Sequence, residues 1–386
     1  MSTTLSLTES ILFLKKLVLT QTSSYNYTGI NVCLDIIKKE FMRFDAKATL
    51  IKSDSNNTNN IPIALKLTKN PEADTKWLFN IHVDTVFDQQ SSFNDFIINE
   101  DHTQATGPGV IDAKGGIVII RNTIKLLESA PFSKDIGWTV LITTDEEIGS
   151  LESKSIIERE ARRHDYAFVF EPPLDSGNLI KERPSSSNIL FTAKGKAGHA
   201  GRDYKEAKNA ITGLIALINT LPPLTSPTHT INLGTIQGGT RENIIADSAS
   251  CALNARFMID SELKDFIKQC EEQALLIQEK TGIKLSVAVQ SFRPSKPSTP
   301  KSSHLYTMLD KAAKEANITL SYENSFGVCD GNFIAHQGTP VIDTMGAKGF
   351  GMHTKNETIY LDSLITQSQL AFGTIKHIYE HQQHAQ

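Results

Sequence analysis

Three short apolar runs, each followed closely by acidic or imidazole side chains, constrain the fold of this chain more than any other feature. The side chains, with the preceding run in parentheses, are His82 (77–81), Glu146 and Glu147 (139–143), and Glu171 (166–170). A helical pattern of apolar residues over 116–128 separates the first two runs. This alternation predicts an α/β domain with a mostly parallel sheet and helices on both faces. Because the carboxyl ends of parallel strands line one crevice, we expect these side chains to share one site.

Two stretches rich in proline and serine, 183–187 and 293–300, divide the chain, and such stretches commonly mark domain boundaries. Between them the apolar patterns predict, in order, a strand, a helix, two strands, a helix and a strand, at 188–196, 209–221, 228–236, 249–259, 262–280 and 284–290. This order is that of a ferredoxin-like α+β domain. We therefore predict a catalytic domain formed by 1–186 and 297–386, with an inserted domain at 187–296.

Composition and charge limit the partners of the chain. The 386 residues carry a formal net charge of −4, which provides no basic surplus for nucleic acid or an anionic membrane. Glu9 and Lys15 interrupt the N-terminal apolar residues, which predicts an amphipathic helix rather than a signal peptide. The four cysteines include no CxxC pair and are typical of reduced thiols. We therefore predict a cytoplasmic protein with no nucleic-acid or membrane partner, and we expect the Asn-rich stretch 53–60 to be an exposed loop.

The local spacing of the polar side chains indicates separate chemical roles. His82 and Asp84 are two residues apart and point to the same side of an extended segment, as suits a metal-bound imidazole held by a carboxylate. Glu146 and Glu147 are adjacent and point apart, so one can bind metal while the other acts as a base. Asp112 lies in a glycine-rich segment, where backbone can approach a ligand closely. Taken singly, each motif has an ordinary structural explanation: a strand-end histidine, a solvated turn or a tight loop.

Taken together, the motifs occur in the order of one known constellation. In chain order they are His82-Val-Asp84, Gly107-Pro-Gly-Val-Ile-Asp112, Asp145-Glu-Glu-Ile-Gly149, Glu171-Pro172, Gly198-His-Ala-Gly201, Asn243, Cys329-Asp-Gly-Asn332 and Gly351-Met-His353-Thr354. In these motifs the chain resembles the family of cocatalytic zinc peptidases and deacylases that includes carboxypeptidase G-type glutamate carboxypeptidases, acetylornithine deacetylase, succinyl-diaminopimelate desuccinylase and aminoacylase. The resemblance covers nearly the whole chain. It implies a zinc-exopeptidase-like fold whose inserted domain is a lid and dimerisation domain.

The resemblance also implies two Zn²⁺ ions per chain, and the nitrogen and oxygen donors suit Co²⁺ or Mn²⁺ as well. The ligands carried over are Asp112 as the bridge, His82 and Glu171 on one ion, and Glu147 and His353 on the other. Asp84 would hold the imidazole of His82, and Glu146 would accept a proton from the water between the ions. Relatives of this kind imply a non-proline cis peptide bond between Asp112 and Ala113.

Further positions are implied to contact the substrate. His199, from the inserted domain, would reach the scissile carbonyl, and in dimeric relatives the partner subunit supplies this residue. Asn243 and Arg256 would bind the free carboxylate of the substrate. Gly349 ends a glycine-rich loop that we expect to lie near the substrate. The inserted domain is expected to form a homodimer through an edge strand or its first helix.

The implied reaction is hydrolysis of a peptide or N-acyl amide bond next to a free carboxylate, in a small peptide or N-acyl amino acid. An exopeptidase of the glutamate carboxypeptidase kind is the first interpretation, because Asp145-Glu-Glu-Ile-Gly-Ser150 and Glu171-Pro172 resemble that branch most. The alternatives are a small N-acyl-amino-acid deacylase similar to acetylornithine deacetylase, and an inactive relative that binds peptide or metal. A nucleotide-binding dehydrogenase is not supported, because no GxGxxG motif opens the first strand–helix turn.

Overall fold

A computed structural model of the protein describes residues 4–53, 61–88 and 90–385. Apart from Ser53, the Asn-rich stretch that we expect to be an exposed loop lies outside these residues. The helices are α1 (Leu7–Val18), α2 (Tyr27–Phe41), α3 (Gly115–Glu128), α4 (Lys154–Ala161), α5 (Ala210–Ile218), α6 (Asp260–Thr281), α7 (Pro300–Glu315), α8 (Gly331–His336) and α9 (Ser363–Ala385). The strands are β1 (Lys47–Lys52), β2 (Pro62–Lys69), β3 (Thr75–His82), β4 (Ile97–Ile98), β5 (Gln104–Thr106), β6 (Ile136–Thr143), β7 (Tyr166–Val169), β8 (Leu179–Ile180), β9 (Ser185–Lys194), β10 (Gly198–His199), β11 (His229–Gly238), β12 (Ile244–Ile245), β13 (Ser248–Phe257), β14 (Lys284–Arg293), β15 (Tyr322–Glu323), β16 (Val341–Ile342), β17 (Gly349–Phe350) and β18 (Thr358–Tyr360).

The chain forms two compact units. Unit 1 comprises Met1–Lys181, Ser298–Asn324 and Cys329–Gln386, and unit 2 comprises Glu182–Pro297 and Ser325–Val328. The segment Ser325–Val328 is anchored in unit 2 by two arginines. Arg183 donates a hydrogen bond to the main-chain oxygen of Gly327, and Arg256 donates one to the main-chain oxygen of Phe326. The sequence predicts that this short segment belongs to the second part of the catalytic domain, 297–386, so its grouping with unit 2 differs from that prediction.

A six-stranded sheet forms the centre of unit 1, in the order β1-β2-β6-β3-β7-β16. Strands β6, β3, β7 and β16 run parallel, whereas β2 is antiparallel to both β1 and β6. Side chains of a strand alternate between the two faces. Trp77 and Phe79 therefore join the core that includes α1, α2, α3, α7 and α9, while Leu78 joins the core with α4 and α8. The predicted mostly parallel sheet, covered by helices on both faces, is confirmed.

Local sequence explains where several helices begin. The side chains of Ser6 and Asn26 each accept a main-chain hydrogen bond in the first turn of α1 and α2. At α7, Thr299 and Ser302 form a reciprocal capping box, and Pro300 occupies the first turn, where its missing N–H costs nothing. Within the described ranges, every helix is too short or too polar to span a lipid bilayer.

Unit 2 is built on a four-stranded antiparallel sheet in the order β11-β13-β9-β14. In chain order its main elements are β9, α5, β11, β13, α6 and β14, which is the succession expected for a ferredoxin-like arrangement. Leu214 of α5 and Phe266 of α6 pack in one core with Phe191 and Leu253 of the sheet. Strand β11 lies at an edge, and residues 232–238 along it are all exposed. The lid and dimerisation roles of this unit stay predictions.

Candidate metal centre

The predicted strand ends meet at one edge of the central sheet. His82 ends β3 and pairs with Thr143, the last residue of the parallel strand β6. Glu146 and Glu147 form the short turn after β6, and Glu171 follows β7, which runs parallel to β3 on its other side. Residues far apart in sequence are therefore close together because three parallel strands end side by side.

The carboxylate of Asp112 lies between two imidazoles. Its Oδ1 is 2.9 Å from Nε2 of His82, and its Oδ2 is 2.9 Å from Nε2 of His353. Oε1 of Glu171 lies 3.6 Å from the same nitrogen of His82, and Oε2 of Glu147 lies 3.6 Å from the same nitrogen of His353. Each oxygen of Asp112 thus contacts one imidazole, and a further carboxylate lies close to each of these imidazoles. This is the arrangement that a bridging ligand requires.

The imidazole of His82 is oriented by main chain. Its Nδ1 lies 2.9 Å from the main-chain oxygen of Asp84, and this oxygen can only accept a hydrogen bond, so Nδ1 carries a proton. In the neutral ring Nε2 then holds the lone pair, on the side of Asp112. This is the tautomer of a metal ligand. The carboxylate Oδ1 of Asp84 is farther from Nδ1, at 3.4 Å, so the main-chain oxygen makes the closer contact.

The Asp84 carboxylate is fully buried and also holds the turn that carries the two glutamates. Its oxygens accept hydrogen bonds from the main-chain N–H groups of Glu146 and Glu147, both at 3.2 Å. The hydroxyl of Ser24 donates to the same carboxylate at 2.8 Å. Ser24 is not among the residues predicted from the sequence, because a lone serine separated from Asp84 by 60 positions carries no recognisable pattern.

Burial makes the site a cluster of charges in surroundings of low polarity. Burial and repulsion from Asp112 raise the pKa of Glu147 to about 9, and burial raises the pKa of Glu171. The hydrogen bond to Asp112 raises the pKa of His353 to about 9. Burial by itself lowers the pKa of His82, but the charge of Glu171 and the hydrogen bond to Asp112 raise it well above its usual value. The raised pKa values of the two glutamates show that a further negative charge in this cluster is unfavourable without a positive charge beside it, which a bound cation would supply.

The available donor atoms fit a metal site. Oε1 of Glu147 and Oε1 of Glu171 are buried without a hydrogen-bond partner, although buried polar atoms normally have one. One donor atom each from His82, Asp112 and Glu147 lie within 4.8 Å of one another. Imidazole nitrogen and carboxylate oxygen are donors that suit Zn²⁺.

The loop that carries Asp112 is fixed by its own backbone and by Glu357. The peptide bond between Asp112 and Ala113 is cis, as predicted. Gly109 has a φ of 70°, in the left-handed region that favours glycine. The Glu357 carboxylate accepts hydrogen bonds from the main-chain N–H groups of Gly109, Ile111 and Asp112. Burial raises the pKa of Glu357 to about 7. Glu357 is not among the residues predicted from the sequence.

Unit 2 brings His199 and Asn243 together. Strand β10 carries His199 and pairs with β12, and the N–H of Ala200 donates to the main-chain oxygen of Asn243 at 3.0 Å. The exposed ring of His199 accepts, through Nδ1, hydrogen bonds from the N–H groups of Gly201 and Arg202 at 3.1 and 3.4 Å. In the neutral ring the proton is then on Nε2, which leaves this nitrogen able to donate to an oxygen atom.

Arg256 is half-buried on β13. Its Nε donates to Oδ1 of Asn254 at 2.9 Å, and its Nη1 donates to the main-chain oxygen of Phe326 at 2.5 Å. Burial and the charge of Arg293 lower the pKa of Arg256. Two neighbouring guanidinium groups favour the approach of an anion. Arg293 is a second cation that is not among the residues predicted from the sequence.

Gly349 is buried in β17. A Cβ atom at this position would lie 2.1 Å from the main-chain oxygen of Thr358 and 2.6 Å from Cγ2 of Ile111. A larger residue would displace the main chain of Thr358 and the side chain of Ile111, the residue that precedes Asp112. The structure thus gives Gly349 a packing role, and its contact with substrate stays a prediction.

Comparison with known proteins agrees with this geometry. A family model described as peptidase family M20/M25/M40 matches residues 78–377. The chain belongs to this family. It is a metallohydrolase of the peptidase and deacylase type, as the resemblance of its motifs implies.

Relatives of this M20 protein include both peptidases and deacylases. Carboxypeptidase G2 from Pseudomonas sp. (strain RS-16) is 32% identical over 267 residues, which cover 67% of this chain and 63% of the relative. An acetylornithine deacetylase from Yersinia pestis is 24% identical over 286 residues, which cover 70% of this chain and 72% of the relative. The chain thus matches less than two thirds of the length of carboxypeptidase G2.

Two solved structures share the fold. Aminopeptidase PepT from Bacillus cereus ATCC 10987 superposes with a TM-score of 0.81 at 21% identity, covering 97% of this chain and 99% of that chain. The Bacillus subtilis YXEP protein, a dinuclear metal binding peptidase from the M20 family, superposes with a TM-score of 0.71 at 15% identity, covering 97% and 98%. At these identities the similarity establishes the fold.

Proposed function

We propose that this M20 protein is a two-metal hydrolase that cleaves a peptide or N-acyl amide bond next to a free carboxylate, in the manner of a glutamate carboxypeptidase. The observation that carries the proposal is the carboxylate of Asp112, whose two oxygens each lie 2.9 Å from a different imidazole nitrogen. Among the relatives described above, the carboxypeptidase has the higher sequence identity, which favours this branch.

The proposed ligands form two sets that share one carboxylate. His82 and Glu171 would hold one metal ion, Glu147 and His353 would hold a second, and Asp112 would contact both. Zn²⁺ suits these donors best, and Co²⁺ or Mn²⁺ are alternatives. When bound, such a metal pair lowers the pKa of a water molecule and polarises the carbonyl group under attack. Metal binding would also satisfy the buried oxygens of Glu147 and Glu171 that lack hydrogen-bond partners.

Glu146 is proposed as the general base. Its main-chain N–H is held 3.2 Å from the Asp84 carboxylate, and its side chain is half-buried. Its charge helps to raise the pKa of both Glu147 and Glu171, so its carboxylate lies in the same anionic cluster. From this position it can take a proton from the attacking water and pass it to the leaving amine.

The residues of unit 2 are proposed to bind the substrate. His199 would donate a hydrogen bond from Nε2 to the carbonyl oxygen of the scissile bond, where negative charge develops. The hydrogen bonds from Gly201 and Arg202 to Nδ1 support this role, because they leave the proton on Nε2. Arg256 and Asn243 would bind the free carboxylate, and a guanidinium pairs well with this group.

A small N-acyl-amino-acid deacylase is the second candidate. The alignment with acetylornithine deacetylase, which spans 72% of that relative, favours it. Both candidates use the same metal ligands and the same base, so they differ only in the groups on either side of the scissile bond.

A substrate panel should separate these functions. We expect activity to be lost on treatment with a chelator and restored by Zn²⁺, Co²⁺ or Mn²⁺. Among substrates, N-acyl glutamates and dipeptides with C-terminal glutamate should be cleaved, whereas their C-terminal amides should lose roughly 10–100-fold in kcat/KM. This is the effect of about 1.5–3 kcal/mol for a lost charged hydrogen bond. Faster hydrolysis of N-acetylornithine would favour the deacylase, and equal rates for acids and amides would contradict recognition of a carboxylate.

Unit 2 is also proposed to form a homodimer. Strand β11 lies at an edge of the four-stranded sheet, and its side chains Leu233 and Ile236 are 37% and 61% exposed. On α5, Ile215 is 45% exposed. Exposed apolar groups on an edge strand favour pairing with a second copy. We expect light scattering to give a dimer at micromolar concentration. Replacing Ile236 with lysine should shift the mass towards the monomer, and an unchanged mass would exclude this edge as the interface.

A further inference from the structure

Glu357 is a fully buried carboxylate that links the two segments carrying Asp112 and His353. Its Oε2 accepts a hydrogen bond from the N–H of Gly109 at 2.9 Å. Its Oε1 accepts hydrogen bonds from the N–H groups of Ile111 at 2.9 Å and Asp112 at 3.0 Å. Both oxygens are therefore used to hold the backbone of the loop that ends at the proposed bridging ligand.

The main chain of Glu357 connects the loop of Asp112 to the turn that carries His353. Its main-chain oxygen accepts a hydrogen bond from the N–H of Gly107, and its own N–H donates to the main-chain oxygen of Thr354. The adjoining His353 has a φ of 63°, a left-handed conformation that a residue with a side chain adopts only where the surroundings hold it. One glutamate thus ties the loop of Asp112 to the turn of His353.

We propose that Glu357 is a positioning residue that holds the carboxylate of Asp112 against the imidazole of His353, so that both reach the same metal ion. It need not touch metal or substrate to do so. Hydrogen bonds from main-chain N–H groups to a carboxylate are directional, and here they fix the loop at three donors, the N–H groups of Gly109, Ile111 and Asp112. This inference rests on the metal ligation proposed above for Asp112 and His353.

The test is the zinc affinity of Glu357→Gln. Glutamine keeps the length of the side chain but places an NH₂ group where an oxygen now accepts, so it faces a main-chain N–H that it cannot bind. We expect the apparent zinc dissociation constant, measured by competition with a chromophoric chelator, to rise by about 10–100-fold, the usual effect of losing a residue that orients a ligand. The visible spectrum of the Co²⁺-loaded protein should change as well, since it reports the geometry of the ligands.

Glu160 provides a matched control. It is another buried glutamate of unit 1, and its carboxylate pairs with Lys66 at 2.8 Å and with Arg159 at 3.4 Å, neither of which is a proposed ligand. Glu160→Gln should lower the thermal midpoint yet leave zinc affinity within about twofold of the wild-type value. If Glu160→Gln weakens zinc binding as much as Glu357→Gln does, loss of stability alone explains the effect and the proposal is wrong.

Glu357→Asp separates position from charge. Aspartate keeps the negative charge but is one methylene shorter and cannot reach all three N–H donors, so positioning predicts weaker zinc binding here too. Wild-type zinc affinity in either Glu357 variant would overturn the proposal. Failure of both Glu357 variants to fold, while Glu160→Gln folds, would also overturn it, because Glu357 would then be required for folding itself. These results can be told apart from failure of the proposed function. If that function is wrong, the wild-type protein would bind no zinc at all.

Discussion

Replacing Glu146 with glutamine is expected to lower turnover by roughly 10²–10⁴-fold, the usual scale for a lost general base. Glutamine has nearly the same volume and can still accept hydrogen bonds, but it cannot take a proton at neutral pH. Because Glu146 is not proposed as a ligand, the variant should still bind about two metal ions per chain. Metal analysis alongside steady-state kinetics would measure both quantities.

Glu147→Gln is the matched comparison, because it makes the same change one residue further along. The main-chain N–H groups of both residues are held by the Asp84 carboxylate at 3.2 Å, so neither substitution removes that anchor. Oε1 of Glu147 is buried without a hydrogen-bond partner, and an amide is a poor zinc ligand. We expect Glu147→Gln to lose metal as well as activity. The opposite pattern, with metal lost only from Glu146→Gln, would show that the two roles are reversed.

Much of the fold can be predicted from apolar patterns. The pattern over 116–128 corresponds to α3, Gly115–Glu128, and the pattern over 262–280 corresponds to α6, Asp260–Thr281. Both helices are long. The buried positions of α6 repeat with helical spacing, whereas residues 115–124 of α3 are all buried. The two antiparallel strands at the edge of the central sheet, β1 and β2, are not predicted. The residues of β1 are all at least partly exposed, so the strand carries little apolar signal.

The candidate site can be predicted where it depends on residue type and spacing. His82, Glu147 and Glu171 follow apolar strands, and the physics of parallel sheets brings such positions together. His353 is different. It lies 241 residues after Asp112, no local sequence pattern marks it, and only the resemblance to a known family points to this histidine. The structure brings its Nε2 to 2.9 Å from Asp112.

Residues that act on the main chain cannot be predicted from side-chain patterns. Ser24 donates to the Asp84 carboxylate, and Glu357 accepts from three main-chain N–H groups. Every residue except proline has such an N–H, so the partners of Glu357 have no side-chain chemistry that a sequence pattern could reveal. For the same reason, no sequence pattern predicts that His82 contacts the main-chain oxygen of Asp84 more closely than its carboxylate.

Asp112→Asn is expected to have an effect as large as the loss of the base, because Asp112 is proposed to serve both metal ions. An amide keeps one oxygen as a donor, but its NH₂ group cannot coordinate a cation. Burial raises the pKa of Asp112, but the hydrogen bonds to His353 and His82 outweigh burial and hold the pKa below its usual range, so the wild-type side chain is ionised. The substitution therefore also removes a negative charge from the centre of the site.

We expect Asp112→Asn to bind at most about one metal ion per chain and to lose at least about 10³-fold in turnover, since the lowered water pKa depends on the metal pair. Asp165→Asn is the control. Oδ2 of Asp165 accepts a hydrogen bond from the main-chain N–H of Lys76 at 2.8 Å. Asp165 precedes β7, whereas the site lies beyond the other end of that strand. It should keep its metal and its activity. Two tightly bound ions and near-normal turnover in Asp112→Asn would mean that this carboxylate does not bridge, and the ligand assignment built around it would have to be abandoned.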